Sequence, residues 1–131
     1  MTIYRIEDKN GDGPYWSRQD FPNGHLIHRM TADHCSDEID HSGILSDVIS
    51  LGRVSEFTKY HLCAFVSKDQ MLDWFDDWIY LLEEWGFNLV EITIDPIYVI
   101  ETPTQAAFDS MKVLCKKQIP ISSVCPATAC T

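Results

Sequence analysis

The chain has 131 residues, 45% of them hydrophobic, which is typical of one globular domain with its own core. Twenty acidic and ten basic residues give a formal charge of −10, which argues against direct nucleic acid binding because phosphates need a basic surface. No stretch approaches the roughly 18 apolar residues of a membrane span, and the first residues lack the apolar run of a signal peptide. We therefore expect a cytoplasmic protein that binds neither nucleic acid nor membrane.

The chain opens with a predicted strand at residues 3–6 and a polar turn at residues 8–14. The first half of this turn places its oxygen-bearing residues and a Gly as an EF-hand calcium loop does. The match then fails, because Gln19 stands where that loop needs a bidentate Glu, and a strand precedes it instead of a helix. We interpret the segment as an Asn/Gly turn without calcium.

Residues 25–41 contain several side chains of the types that bind zinc. Their spacing shows no close ligand pair of the kind found in most zinc sites, so we predict no metal here. The five cysteines of the chain are odd in number and irregularly spaced, which argues against a disulfide framework. The zinc-type side chains of this segment are His25, His28, His34, Cys35 and His41.

Residues 60–94 predict a strand, a helix and a second strand, preceded by a short segment at 44–51 that suits a helix slightly better than a strand. Ser67 and Gln70 form a capping box at the start of the helix, and Gly86 marks its end. The apolar residues between them fall on one helical stripe, which indicates a core face and not an aromatic ligand platform. The stripe consists of Met71, Trp74, Phe75, Trp78, Leu82 and Trp85.

Two interpretations of residues 103–117 remain open. The Thr-Pro-Thr-Gln sequence at 102–105 has an N-cap residue and a proline at the first helical position, which predicts a helix over 103–117. The alternative makes residues 105–109 and 113–119 two strands of a final hairpin. In either case we predict one α+β domain at residues 1–121, a twisted, mainly antiparallel sheet packed on an amphipathic Trp-rich helix at 68–85, with a flexible tail at 122–131.

The polar side of the predicted helix is strongly acidic. Most faces of this kind are simply solvated, but this one is also the best candidate in the chain for contact with a basic surface on a partner protein. The predicted partner-binding residues are Asp69, Asp73, Asp76 and Asp77.

Three segments resemble elements of the ADP-ribosyltransferase-like fold. Residues 4–8 resemble its opening strand, in which an Arg holds the nicotinamide dinucleotide, and residues 61–68 resemble a strand that ends in a Ser-bearing motif. Glu101 or Gln105 could stand at the third element, a late Glu or Gln beside the site. The usual Ser-Thr-Ser triplet is reduced to Ser67, and the Glu-x-Glu pair is absent.

This resemblance implies NAD as a substrate and a role for each matching residue. Arg5 pairs with the pyrophosphate, Ser67 orients the late Glu or Gln, and Glu101 stabilises the positive charge that develops as nicotinamide leaves. Ser67 is equally explained as a helix N-cap, and Arg5 as a salt-bridged residue of an edge strand. The implied catalytic residues are Arg5, Ser67, Glu101 and Gln105, and the implied cofactor-binding residues are Tyr4, Arg5 and Phe65.

The chain also resembles a group of small phage proteins over most of residues 3–119. The shared motifs are Tyr-Arg-Ile-Glu at 4–7, Gly-Pro-Tyr at 13–15, Phe-x-Ser at 65–67, Trp-Phe at 74–75 and Gln-x-x-Phe at 105–108. The resemblance implies a phage or prophage protein that acts in the bacterial cytoplasm. Our leading hypothesis is a small acidic effector that binds and inhibits a host protein, such as a CRISPR defence component. The alternative is an active mono-ADP-ribosyltransferase that uses NAD to modify a host target.

Overall fold

The computed structural model of the chain describes residues 1–14 and 48–124. Residues 48–50, within the segment predicted to favour a helix, are helical. The main elements in chain order are β1 Thr2–Glu7, β2 His61–Ala64, α1 Lys68–Phe75, α2 Ile79–Glu84, β3 Asn88–Ile94, β4 Val99–Glu101, β5 Ala106–Asp109 and β6 Val113–Ile119.

The strands form two antiparallel three-stranded sheets, with the orders β1-β3-β6 and β2-β5-β4. The sheets are joined where Tyr4 of β1 pairs with Phe65, through N–H···O distances of 2.8 and 2.7 Å. This pairing stops after one residue pair because the chain turns at Ser67 into α1. The α+β class is confirmed, but the single predicted sheet is divided in two.

The helix predicted over residues 68–85 is also divided. It breaks at Asp76, which has φ 50° and ψ −130°, and a 3-10 turn at Asp76–Trp78 leads into α2. Two consecutive Asp residues stand at this point, and Asp is a poor helix former. The end of α2 agrees with the prediction, because Gly86 adopts φ 89° and the Phe87 N–H donates to the Leu82 carbonyl at 3.0 Å.

The sheet β1-β3-β6 lies between the helices and the second sheet. Along its strands, Ile6 and Leu89 pack among the helix aromatics, whereas Ile3 and Ile92 face Phe108 of the second sheet. This alternation follows from the two-residue period of a strand. The predicted core stripe is confirmed, with all of its members buried except Trp78, which is half-buried at the edge of the cluster.

Residues 103–117 contain strands, so the helix predicted there is wrong. The Thr102 N–H donates to the Gln105 carbonyl at 2.9 Å, and the Gln105 N–H donates to Thr102 Oγ1 at 3.1 Å, which closes a turn between β4 and β5. Thr-Pro serves a tight turn as well as a helix start, because proline fits the second position of a β-turn. The two strands of the alternative are confirmed at Ala106–Asp109 and Val113–Ile119, but they do not form a hairpin, since β5 pairs with β2 and β4 while β6 pairs with β3.

After β6 the chain stays attached to α2. Ile121 is buried, Val124 packs against the helix core, and the Ser122 N–H donates to Glu83 Oε2 at 2.7 Å. Ser122 and Val124 belong to the predicted flexible tail, whose remaining residues, 125–131, lie outside the described residues. The boundary of the tail therefore stays a prediction.

Candidate functional site

Arg5 is buried between the two sheets. Its Nε donates to Glu7 Oε2 at 2.8 Å and its Nη1 donates to the Cys63 carbonyl at 2.7 Å. Both carboxylate and carbonyl are good partners for a guanidinium, so Arg5 ties β1 to the end of β2. This geometry gives Arg5 a structural role at the junction of the sheets. It agrees with the interpretation of Arg5 as a salt-bridged residue, the alternative to its predicted role in binding pyrophosphate.

Glu7 also binds a second cation, which comes from the strand at the opposite edge of its sheet. Lys116 on β6 reaches across the central strand β3 and donates from Nζ to Glu7 Oε1 at 2.8 Å. The side chains of Arg5 and Glu7 are 9% and 7% exposed, whereas that of Lys116 is 46% exposed. Glu7 is therefore a buried carboxylate between two cations, one buried and one at the surface.

The loop after β1 closes over the guanidinium. A Cβ atom added to Gly13 would lie 3.3 Å from Arg5 Nη2, so the loop backbone packs directly against the side chain. Asp8 Oδ1 shapes this loop by accepting from the N–H groups of Asn10 at 2.8 Å and Asp12 at 3.0 Å. Asp8 thus forms a side-chain turn of the kind that the Asn/Gly interpretation predicts.

Ser67 caps α1, as predicted. Its Oγ accepts from the Gln70 N–H at 3.0 Å, and Gln70 Oε1 accepts from the Val66 N–H at 2.9 Å, one residue earlier than a capping box requires. Gln70 Nε2 also donates to the Pro103 carbonyl at 3.4 Å, which connects the helix start to the β4–β5 turn. The Ser67 hydroxyl therefore has a structural role.

The structure places Glu101 three strands away from Arg5. The bridge between the sheets sets Arg5 beside Ala64, which pairs with Ala106, which in turn pairs with Glu101. Three strand spacings separate Arg5 from Glu101, or about 14 Å. Glu101 is exposed, whereas Gln105 is buried in the β4–β5 turn. Within the described residues, Arg5 forms its ion pair with Glu7 and not with Glu101.

The predicted cofactor-binding aromatics both serve the core. Phe65 is 5% exposed, and its ring lies 5.9 Å from Trp74 and 5.7 Å from Phe75, measured between centroids. Tyr4 is half-buried against the same cluster, and the Lys68 Nζ lies 5.7 Å from its ring centroid. Of the two, Tyr4 keeps the more accessible ring.

The acidic side of the helices faces solvent. Asp69, Asp73 and Asp76 are exposed, and they follow one another at intervals of four and three residues, which sets them along one side of α1 and its end. Glu84 on α2 is exposed as well. The side chain of Asp77, the fourth predicted residue, lies outside the described part. The opposite side of the helices is buried, so α1 separates an apolar face from an acidic one.

Sequence reasoning missed Glu7, Cys63 and Lys116, which hold Arg5 in place. Cys63 contributes only its backbone carbonyl, which no sequence pattern reveals. The alternation of β1 does carry a signal, because Arg5 and Glu7 fall on the same side of the strand as the core residue Ile3. Two opposite charges on the buried side of a strand predict an internal ion pair.

No group of three or more potential metal ligands occurs among the His, Cys, Asp and Glu side chains of residues 1–14 and 48–124. The zinc-type cluster at residues 25–41 lies outside the described residues. In the same described ranges, neither α-helix has the length and hydrophobicity that a bilayer crossing requires.

Comparison with known proteins connects the chain to phages. The family model described as the Bacteriophage T4 Y00F protein matches residues 1–122, which includes every strand and helix described above. No curated protein and no solved structure matches the chain. Because the family model covers nearly the whole chain, this protein belongs to the bacteriophage T4 Y00F protein family.

Proposed function

We propose that this phage protein is a small acidic effector that binds and inhibits a host protein, and that the host protein belongs to a defence system of the CRISPR kind. The observation that carries the proposal is the exposed acidic side of α1, with Asp69 and Asp73 one helical turn apart, Asp76 at the end of the helix, and a buried aromatic face on the opposite side. A rigid surface of one charge sign favours association with a surface of the opposite sign.

The charge of the whole chain supports the same partner chemistry. At −10 the protein is repelled by nucleic acid, yet it is attracted to basic protein surfaces, including those that normally hold nucleic acid. Many components of defence against phages act on nucleic acid and carry such surfaces. The effector would act in the host cytoplasm, where these components work.

The proposal is tested by capture from a host lysate with matched charge variants. The variant Asp69→Asn/Asp73→Asn removes two charges from the acidic face, and Glu56→Gln/Glu101→Gln removes two exposed charges elsewhere. Hydrogen bonding to Arg53 lowers the pKa of Glu56, so this control residue is charged at neutral pH. A partner identified by mass spectrometry should be lost with the first variant and retained with the second. Equal capture by both variants would contradict the proposal.

The alternative, a mono-ADP-ribosyltransferase, has one observation in its favour. The pairing of Tyr4 with Phe65 sets the first strand beside the segment that leads to Ser67, as the resemblance requires. The engagement of Arg5 with Glu7 and the distance to Glu101 weigh against it. Incubation with labelled NAD and host lysate tests it, since a transferase would label a protein and Glu101→Ala would abolish that labelling without affecting the fold. Absence of label transfer would remove this alternative.

A further inference from the structure

The second surface of interest is the free edge of β6. Among the described residues, β6 pairs with β3 on one side and with no strand on the other. It has seven residues, and the five from Leu114 to Gln118 are exposed. A strand with one unpaired edge presents backbone N–H and C=O groups that can pair with another extended segment.

Three large apolar side chains are exposed at the beginning of this edge. Ile97, Met111 and Leu114 are 73%, 68% and 74% exposed. Leu114 lies in the irregularity opposite Thr93 and Ile94, Met111 comes just before β6, and Ile97 comes just after β3. Because β3 ends where β6 begins, these three exposed side chains lie at the same end of the sheet, and we call them the apolar patch.

The same edge is basic in an acidic protein. Lys112, Lys116 and Lys117 lie within six residues, and residues 111–119 contain no acidic residue, although the whole chain carries −10. Lys116 is paired with Glu7, whereas Lys117 is an exposed residue of β6 and Lys112 comes just before it. Lysines on an edge strand often serve to prevent unwanted pairing. That role does not explain the apolar patch of Ile97, Met111 and Leu114. An edge that only prevents pairing would be polar, whereas exposed apolar side chains favour binding.

We propose that β6 binds an extended segment of a partner protein, with alternating acidic and apolar residues, as an added strand. The backbone edge of β6 supplies the hydrogen bonds, Lys112 and Lys117 select acidic side chains, and Leu114 with Met111 receives the apolar ones. Lys116 is excluded from this role because its Nζ is paired with Glu7. A second copy of this chain is a poor occupant, because pairing β6 with itself brings lysines together between two molecules of charge −10. The proposal does not depend on the acidic face of α1, which carries the opposite charge.

Three synthetic peptides of β6 length test the backbone and charge requirements, with binding measured by fluorescence anisotropy. In the first peptide Glu alternates with Val, in the second Lys alternates with Val, and the third is the Glu/Val peptide with alternate backbone amides methylated. We expect the Glu/Val peptide to bind roughly tenfold more tightly than either of the others. Equal binding of the methylated peptide would reduce the interaction to charge attraction and overturn the proposal, as would no binding of the Glu/Val peptide at millimolar concentration.

Surface variants locate the site. Lys117→Gln and Leu114→Ser, both at exposed positions, should each weaken binding of the Glu/Val peptide several-fold. Arg53→Gln is the matched control for charge, since Arg53 is paired with Glu56 away from β6, and it should leave binding unchanged. Equal losses with Arg53→Gln and Lys117→Gln would contradict the location. A dimer in light scattering that dissociates with Leu114→Ser would make a second copy the occupant and overturn the proposal.

Discussion

Glu7 accepts hydrogen bonds from two cations, and only one of them is buried with it. Its carboxylate oxygens bind Arg5 Nε and Lys116 Nζ, both at 2.8 Å. Burying a charge lowers stability unless a partner of opposite charge compensates for it. Removing the partner is therefore most destabilising when the remaining charge stays buried. The two partners of Glu7 should therefore differ in their energetic importance.

We expect Glu7→Gln to lower the free energy of unfolding by about 3 kcal/mol, because Arg5 would stay buried without a counter-charge. Lys116→Gln should cost less than about 1 kcal/mol, since the Lys116 side chain is 46% exposed and water replaces part of its interaction. Urea denaturation followed by circular dichroism measures both values. Similar losses for the two variants would show that Arg5 does not depend on Glu7.

The close approach of Gly13 to Arg5 gives a second prediction. In Gly13→Ala the new methyl group would meet Arg5 Nη2 at 3.3 Å, and Glu7 and the Cys63 carbonyl hold the guanidinium against moving away. We expect a loss of about 1 kcal/mol in stability. The loss should disappear when Gly13→Ala is made in an Arg5→Met background, and its persistence there would place the cost in the loop itself.

At the scale of elements, the break between α1 and α2 leaves Asp76 in a conformation that favours glycine. Its φ of 50° and ψ of −130° lie in a region that side chains with a Cβ rarely adopt. We expect Asp76→Gly to raise the free energy of unfolding by about 0.5–1 kcal/mol. Asp73→Gly makes the same substitution inside α1, where it should lower stability by about 0.3 kcal/mol, the difference between the helix propensities of Asp and Gly. A loss of stability in both variants would contradict the strain at Asp76.

At the start of α1, stability measurements test whether Ser67 acts as a helix cap. Ser67→Ala should lower stability by about 1 kcal/mol, because the Gln70 N–H loses its acceptor. Ser67→Asp should restore most of that stability, since Asp is an equally good N-cap. Thermal unfolding of the two variants gives the comparison. Equal stability of Ser67→Ala and the unchanged protein would remove the capping role.

Elements whose signals are local could be predicted from the sequence. Ser67, Gly86 and the aromatic stripe lie within one stretch of chain, and each acts on its neighbours through caps and helical spacing. The sequence of residues 102–105 does not distinguish a helix from a turn, because Thr-Pro-Thr-Gln fits a helix start and a tight turn equally well. Residues 106–109 form a strand because β2 and β4 pair with them on both sides. β2 is distant in sequence, and β4 is separated from β5 by the turn itself.

The candidate site could be predicted only in part, because it also depends on contacts between segments that are distant in the sequence. Arg5 could be singled out from the sequence, and its partner Glu7 lies on the same strand, but the Cys63 carbonyl comes from a strand far along the chain and leaves no trace in the sequence. The acidic face of α1 was predictable because helical spacing alone places Asp69 and Asp73 on one side. Strand pairing, in contrast, depends on contacts between distant segments that one sequence does not specify.

At the scale of the whole molecule, the two proposed surfaces carry opposite charge. The outer side of α1 is acidic, whereas the edge of β6 contains three lysines within residues 112–117. Since the helices cover one face of the first sheet and β6 forms its edge, this phage protein can present both surfaces at once. We expect binding through the acidic face to weaken as salt rises from about 50 to about 300 mM, because screening shortens the range of charge attraction.

We propose above that this phage protein inhibits a host defence through the acidic side of α1. Plating of a phage that CRISPR immunity targets, on bacteria that express the protein, measures this inhibition directly. We expect the unchanged protein and Glu56→Gln/Glu101→Gln to restore plaque formation, whereas Asp69→Asn/Asp73→Asn does not, at equal expression and with the fold intact. Plaque numbers that stay as low with the unchanged protein as without it, or that rise equally with all three, would contradict the proposed inhibition.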